Sequence, residues 1–244
     1  MSLFTNKFYP NFVSGLQLWL DASDSSTLFT DSAGTTPASN DGDPIGCWKD
    51  KSGNAYHVIQ TDGTNKPTLR TASLNGRNVL DFDSNDFLQS LTGGSDVNFT
   101  LFFVNIKRGG QNTAMMPFGT GIADLGKARN FYHEYNKISY DTYGNAPYKL
   151  ISEFDWTTNE ANIGQVKFNI NASTVALAKD NSSWTSDTAI TTVVHNASTI
   201  YIGRSPGGYY WNGDICEIIY YTSIISDSAR SSILSYLNNK WGVY

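Results

Sequence analysis

The stretch Trp211-Asn212-Gly213-Asp214-Ile215-Cys216-Glu217-Ile218-Ile219-Tyr220-Tyr221, with the Ser226-Asp227-Ser228 that follows, decides the fold class. Over residues 215–221 the chain is apolar on both alternating faces, interrupted only by Glu217. That is the pattern of a central strand covered on both sides, and the run is too short to cross a bilayer. Ser226-Asp227-Ser228 then supplies a helix cap, and Ala229, Ile233, Leu237 and Trp241 recur at every fourth position. This spacing predicts one helix over residues 226–241, ended near Gly242. Its apolar stripe would pack on the sheet and shield an edge or open face.

Outward from there, strand-length segments arrive at short intervals. Leu16-Gln17-Leu18-Trp19-Leu20 reads as the first, and Tyr56-His57-Val58-Ile59-Gln60 follows the turn Asp50-Lys51-Ser52-Gly53-Asn54. Residues 78–82 and Phe87-Leu88 flank the turn Asp83-Ser84-Asn85-Asp86. Residues 99–106 form the strongest aromatic and branched run, closed by Arg108-Gly109-Gly110. Val166-Lys167-Phe168-Asn169-Ile170 alternates as a strand with one wet face should, and residues 174–178 and 200–203 supply two more. Short strands with regular turn signals predict an all-β, two-sheet antiparallel jelly-roll sandwich with one C-terminal helix. Residues 1–14 read as an N-terminal arm, 15–244 as a single domain, and 21–43 as an extended surface loop.

Bulk composition excludes several classes of partner. The chain has 244 residues, a net charge of −5 and 17 Lys plus Arg that form no cluster. It therefore lacks the electrostatic footprint of a nucleic-acid binder, and an anionic membrane is equally unexpected. No secretory signal is legible at the N-terminus. Cys47 and Cys216 sit in apolar contexts and read as buried free thiols. Asn98, Asn171, Asn181 and Asn196 begin Asn-x-Ser/Thr triplets, which carry little weight in a chain so rich in Asn and Ser.

Two groups of motifs resemble a known family. The first comprises Leu18-Trp19-Leu20-Asp21-Ala22-Ser23, Trp48-Lys49-Asp50-Lys51-Ser52-Gly53-Asn54, Asn75-Gly76-Arg77, Leu80-Asp81-Phe82-Asp83 and Phe87-Leu88. The second is the opening stretch with the helix end Tyr236-Leu237-Asn238-Asn239-Lys240-Trp241-Gly242. Together they resemble the laminin-G-like, concanavalin A-like lectin/glucanase superfamily, most nearly its modules in bacterial surface proteins and phage virions. The resemblance covers both ends of the chain and leaves residues 110–200 without a signature. It implies a scaffold that hosts lectins, glucanases and inert interaction modules alike.

The resemblance also implies where catalysis would sit. Glucanases of this superfamily carry Glu-x-Asp-x-(x)-Glu on one strand, where alternation aims all three carboxylates into a cleft. Glu153-Phe154-Asp155 matches the first half, but Glu160 arrives late, past Thr157-Thr158-Asn159, which reads as a turn. His57, His133 and His195 are far apart and match no metal-binding spacing. The expectation is that the chain is not an enzyme, with hydrolysis by Glu153, Asp155 and Glu160 as one alternative. No cofactor is expected except calcium, for which Asp21, Asp24, Asp31, Asp41 and Asp43 crowd one loop without a calcium-loop spacing.

Binding surfaces are suggested by aromatic density. Tyr143, Tyr148 and Trp156 lie in one rich segment, while Arg204, Tyr209, Tyr210, Trp211 and Asn212 form another around a Gly-Pro-rich turn. Rings with an apolar body and a polar tip suit sugar faces and protein interfaces alike. Phe4, Phe8, Tyr9 and Phe12 make the arm a candidate docking strap. These features lead to the expectation of a non-catalytic virion surface module, made in the host cytoplasm and binding other virion proteins or cell-surface glycans. The alternatives are a free-standing lectin on a cell surface or in the medium, and assembly as a homo-oligomer stays open.

Overall fold

The computed structural model describes residues 8–90, 98–108, 115–121, 128–134, 137–141, 156–169, 171–172, 174–187, 199–205 and 208–244. Strands β1 (Leu16–Asp21), β2 (Leu28–Phe29), β3 (Cys47–Trp48) and β4 (Val58–Ile59) come first. They are followed by β5 (Thr68–Leu74), β6 (Arg77–Asp83), β7 (Leu88–Ser90) and β8 (Phe99–Lys107). Next are β9 (Met115–Gly121), β10 (Ala128–Glu134), β11 (Lys137–Asp141) and β12 (Ala161–Asn169). The chain closes with β13 (Thr174–Lys179), β14 (Thr185–Asp187), β15 (Ile200–Ile202), β16 (Asn212–Tyr221) and helix α1 (Asp227–Trp241).

These strands form two antiparallel sheets, so the fold is the expected all-β sandwich with one C-terminal helix. One sheet runs β14-β13-β12-β8-β16-β6-β5, and β1 also pairs with β16. The other runs β11-β10-β9-β15-β7-β4-β3-β2. Strand β16 is central: β8 lies along one side, while the other is shared by β6 at residues 212–215 and β1 at residues 217–221.

Period-two alternation sorts side chains into two cores. Leu18, Leu20, Leu80, Phe103 and Ile218 face the second sheet and meet Trp48 and Ile202 there. Trp19, Val79, Val104 and Ile219 face the opposite way and pack on Ile233, Leu237 and Trp241 of α1. The apolar double face of β16 is therefore explained, because sheet covers one side and helix the other. Ser226 caps the helix by accepting from the Ala229 N–H at 3.2 Å, and Gly242 ends it at φ 65°. Leu234 joins the buried stripe, whereas Ala229 is only half-buried.

Several elements differ from the sequence reading. Residues 21–43 are not all loop, because Leu28-Phe29 pairs with Cys47-Trp48 and buries Leu28. The arm lies against its own domain: Pro10 is buried, and the Tyr221 hydroxyl donates to its carbonyl at 2.8 Å. Phe4 lies outside the described residues. Both cysteines are free and buried.

Candidate functional site

Alternation along β1 that buries Leu18 and Leu20 between the sheets sends Trp19 and Asp21 to the helix side. Glu217 needs a further device, because simple alternation from Ile215 would turn it toward the sheet interior. A bulge between Ile215 and Glu217 adds one residue, so Cys216 and Glu217 both turn to the helix side. There Glu217 stands opposite Asp21 in the β1–β16 register.

The turn after β3 supplies the next group. Asp50 accepts the Trp19 N–H at 2.9 Å, the Ser52 N–H at 2.8 Å and the Tyr56 N–H at 3.1 Å. Asn54 donates from its amide to the Leu16 and Gln17 carbonyls. The Asp50-Lys51-Ser52-Gly53-Asn54 motif thus ties a loop of the second sheet to β1, and Lys51 is carried across with it. From the other side, α1 presents Ser231, Ser235, Tyr236, Asn239 and Lys240 along one polar stripe.

These pieces enclose a cavity of about 930 Å3 on the outer face of the first sheet, walled by Phe8 and Tyr9 of the arm. Lys240 Nζ lies 2.5 Å from Asp21 and 2.8 Å from Glu217. Lys51 Nζ lies 2.9 Å from Asp21 and 2.6 Å from Asp24. Glu217 also accepts from Trp19 Nε1 at 2.7 Å, Trp241 Nε1 at 2.7 Å and the Tyr236 hydroxyl at 2.8 Å. Burial by itself would raise Asp21, but Lys240 and Lys51 more than reverse this and hold it below the ordinary carboxylate value. Burial pushes Glu217 up against the pull of Lys240. Tyr236 is raised by its burial and by Glu217 beside it, so its hydroxyl stays protonated. Asp21 and Asp24 line the cavity with Lys51, Lys240 and Arg77, and Glu217, buried behind the lining, pairs with Lys240, so the charges of the site are largely balanced internally.

Such a site can hold a polyhydroxylated ligand. Asp24 and the serines offer hydroxyl-binding oxygens, and the rings of Phe8, Tyr9 and Tyr236 offer apolar faces. Phe8 meets Tyr236 edge-on at 6.4 Å, so the arm forms a wall of the cavity. Of the residues read from sequence as a docking strap, Phe8 and Tyr9 wall this cavity, while Phe12 is exposed. The polar repeat at positions 231, 235 and 239 was a signal for this face that the sequence reading, resting on the apolar stripe, did not use. What sequence could not show is that Asp21, Lys51, Glu217 and Lys240 converge.

The other sequence candidates divide. Trp211 and Trp156 are fully buried, and Trp156 stacks on Phe103 at 6.2 Å. Their assignment to a binding surface is corrected, since both belong to the core between the sheets. Tyr209 is 49% exposed, and Arg204 lies over the rings of Phe87, Tyr201 and Tyr210. Asn212 is half-buried on β16 with its carbonyl accepting the Arg108 N–H at 2.9 Å. Tyr143, Tyr148, Glu153 and Asp155 lie outside the described residues. Glu160 is exposed in the turn before β12, where Asn159 takes φ 66°.

The crowded aspartates do not converge on one point. Asp21 and Asp24 bind Lys51, Asp31 accepts from Thr35 and Thr36, Asp41 from Thr71, and Asp43 from Ser39 and Asn40. Among the described residues no group of three or more His, Cys, Asp or Glu could hold a metal ion.

No protein-family model matches the sequence, and no curated protein matches it either. The fold does have counterparts among solved structures. A Trypanosoma rangeli sialidase in complex with the inhibitor DANA aligns with a TM-score of 0.60 at 14% identity, over 91% of this chain and 33% of that one. An arabinofuranosidase complexed with arabinofuranosyl-alpha-1,2-xylobiose gives 0.61 at 17% identity, over 80% of this chain and 50% of its own. The CBM40 of a Ruminococcus gnavus IT-sialidase, bound to alpha2,3 sialyllactose, gives 0.46 at 10% identity over 63% of this chain and 95% of its own, too loose to argue from.

The chain thus spans a third to a half of the length of the two glycosidases, and the likeness establishes a shared β-sandwich architecture. Two expectations are corrected by it. The non-catalytic virion module gives way, because these neighbours are glycosidases and neither is a virion protein. The expectation that the chain stands apart from enzymes gives way for the same reason. Nor do the neighbours single out the laminin-G-like branch of such sandwiches.

Proposed function

We propose that this chain is the glycan-recognising β-sandwich of a carbohydrate-processing protein, and that the cavity between β1, α1 and the arm takes a neutral saccharide. The observation that carries this reading is the charge balance of the cavity. Asp21 and Asp24 are paired with Lys51 and Lys240, Lys240 also with Glu217 buried behind the lining, and Arg77 donates to the Lys240 carbonyl, so hydroxyl-binding oxygens and ring faces are offered with little surplus charge. A neutral, hydroxyl-rich ligand with apolar CH faces fits that lining better than a phosphate or a cation. The sandwich it shares with glycosidases supports the same substrate class.

A glycan array of neutral oligosaccharides tests the proposal, with Ser235→Leu and Asp24→Asn as variants. Ser235 is exposed on α1, so leucine there fills the cavity without touching the core. Saturable binding by the native chain that both variants weaken supports the reading. Binding that both variants retain in full would remove the cavity from it.

A second reading, hydrolysis of a glycosidic bond in the same cavity, is favoured by one observation. Asp21 and Asp24 both reach Lys51 Nζ, which brings two carboxylates as close as a retaining mechanism requires. Both are held below the ordinary carboxylate value, Asp24 by Lys51 and Ser26 working against its partial burial. A proton donor would therefore need a ligand that draws Lys51 away. Release of reducing sugar by the native chain, abolished in Asp24→Asn, is the expected result on this reading; no release from any array hit would leave recognition alone.

A further inference from the structure

The outer face of the second sheet carries a different arrangement. Ile200 and Ile202 of β15 point into the core, so Tyr201 between them points out. Beyond β15, Gly203 turns the chain at φ 82°, where a Cβ would meet the Phe82 ring at 2.4 Å. The chain then folds back: Ser205 N–H donates to the Tyr209 carbonyl at 2.8 Å, and Trp211 N–H to the Gly203 carbonyl at 2.7 Å. This tight return sets Arg204 opposite Tyr210. Its guanidinium carbon lies 4.5 Å from the Phe87 ring centre, 5.2 Å from Tyr201 and 5.7 Å from Tyr210.

Arg204 differs from Arg70, Arg77, Arg108 and Arg230 in what its nitrogens meet. Arg70 and Arg108 pair with Asp81, and Arg108 also with Asp214. Arg230 donates to Gln165 and to the Ser182 carbonyl, while Arg77 donates to the Lys240 carbonyl. Arg204 donates only from Nε, to the adjacent Ser205 carbonyl at 3.2 Å, and its two terminal nitrogens have no acceptor among the described residues. A guanidinium held among three rings is pre-ordered, and its free edge matches a carboxylate with two parallel hydrogen bonds. Asp86, which precedes Phe87 in sequence, is buried and its pKa is raised to about 7, so it opposes an incoming anion less than an ordinary carboxylate would.

We propose that Arg204, framed by Phe87, Tyr201 and Tyr210, is a second saccharide site, specific for a sugar bearing a carboxylate. It shares with the preceding reading the premise that the chain recognises glycans. It differs in face, in residues and in the charge of the ligand. The guanidinium pairs with the carboxylate, and Tyr201 and Tyr210, which hold it, border the sugar ring.

Titration calorimetry on the whole chain tests this with two acidic probes, tri-galacturonate and sialyllactose, each against its neutral counterpart, galactotriose and lactose. The native chain binds at least one acidic probe more tightly than its counterpart. Arg204→Gln weakens that binding about ten- to a hundredfold, the range expected for losing hydrogen bonds to a charged group. Arg204→Lys restores part of it, and Ser235→Leu leaves it unchanged. Melting temperatures of the Arg204 variants close to that of the native chain show that the fold is retained. Binding of neither acidic probe, equal affinity for acidic and neutral partners, or full affinity in Arg204→Gln would each overturn the proposal. Loss in Ser235→Leu alone would move acidic-sugar binding to the cavity and overturn it as well.

Discussion

At residue scale, Glu217 is held from four sides. It is fully buried, yet Trp19, Tyr236, Lys240 and Trp241 all donate to it. Removing one partner of such a buried pair leaves the other uncompensated. Glu217→Ala is therefore expected to cost about 3 to 5 kcal/mol in a denaturant titration. The double variant with Lys240→Met should lose less than the sum of the two single changes, because the partners act as a unit. Asp86 makes the opposite case. Burial, with the charge of Asp83 adding to it, raises its pKa to about 7, so the folded chain holds this proton more tightly than the unfolded one. Its contribution is fully present below the unfolded value near 3.8 and is lost as pH rises toward about 7. Asp86→Asn should thus gain stability at pH 8 relative to pH 4, on the order of 2 to 4 kcal/mol; an equal change at both values would refute the assignment. Asp21 works in the reverse direction, held low by Lys240 and Lys51 against its burial, and its stabilisation fades only as pH falls below the ordinary carboxylate value.

At the scale of elements, β16 and α1 carry the architecture. Gly213 sits at φ 142°, and a Cβ there would come 2.0 Å from the Ile106 carbonyl oxygen. Gly213→Ala is expected to destabilise by more than about 2 kcal/mol, whereas Ser226→Ala, which removes only a helix cap, should cost about 1 kcal/mol. Thermal unfolding of the two variants side by side checks that order. The helix was legible because it keeps one period over its whole length, and the strand because its run is apolar on both faces. Strand β5 was not, since Ala72 at φ 50° breaks its register and most of its residues are polar or only half-buried. The bulge that turns Glu217 outward was also invisible, because one extra residue in a uniformly apolar strand leaves no compositional trace.

At the scale of the whole molecule, the sandwich presents two unlike faces. The first sheet's outer face holds α1, the arm and a charge-balanced cavity, while the second sheet's outer face holds Arg204 and its rings. The second face was partly legible, since Arg204, Tyr209 and Tyr210 are close in sequence; only Trp211 was misjudged, because alternation buries it. The cavity was not legible, because Asp21 and Lys240 meet across nearly the whole chain, and no local spacing encodes that. A heteronuclear NMR titration of the tryptophan indole N–H signals with the best neutral oligosaccharide from the array decides whether the cavity holds the glycan. Trp19 lines the cavity, whereas Trp48, Trp156 and Trp211 lie in the core between the sheets. Binding in the cavity gives a saturable shift of the Trp19 signal, absent in Ser235→Leu, with the three core signals unmoved. Saturable binding that leaves Trp19 still and moves none of the cavity's residues would contradict it.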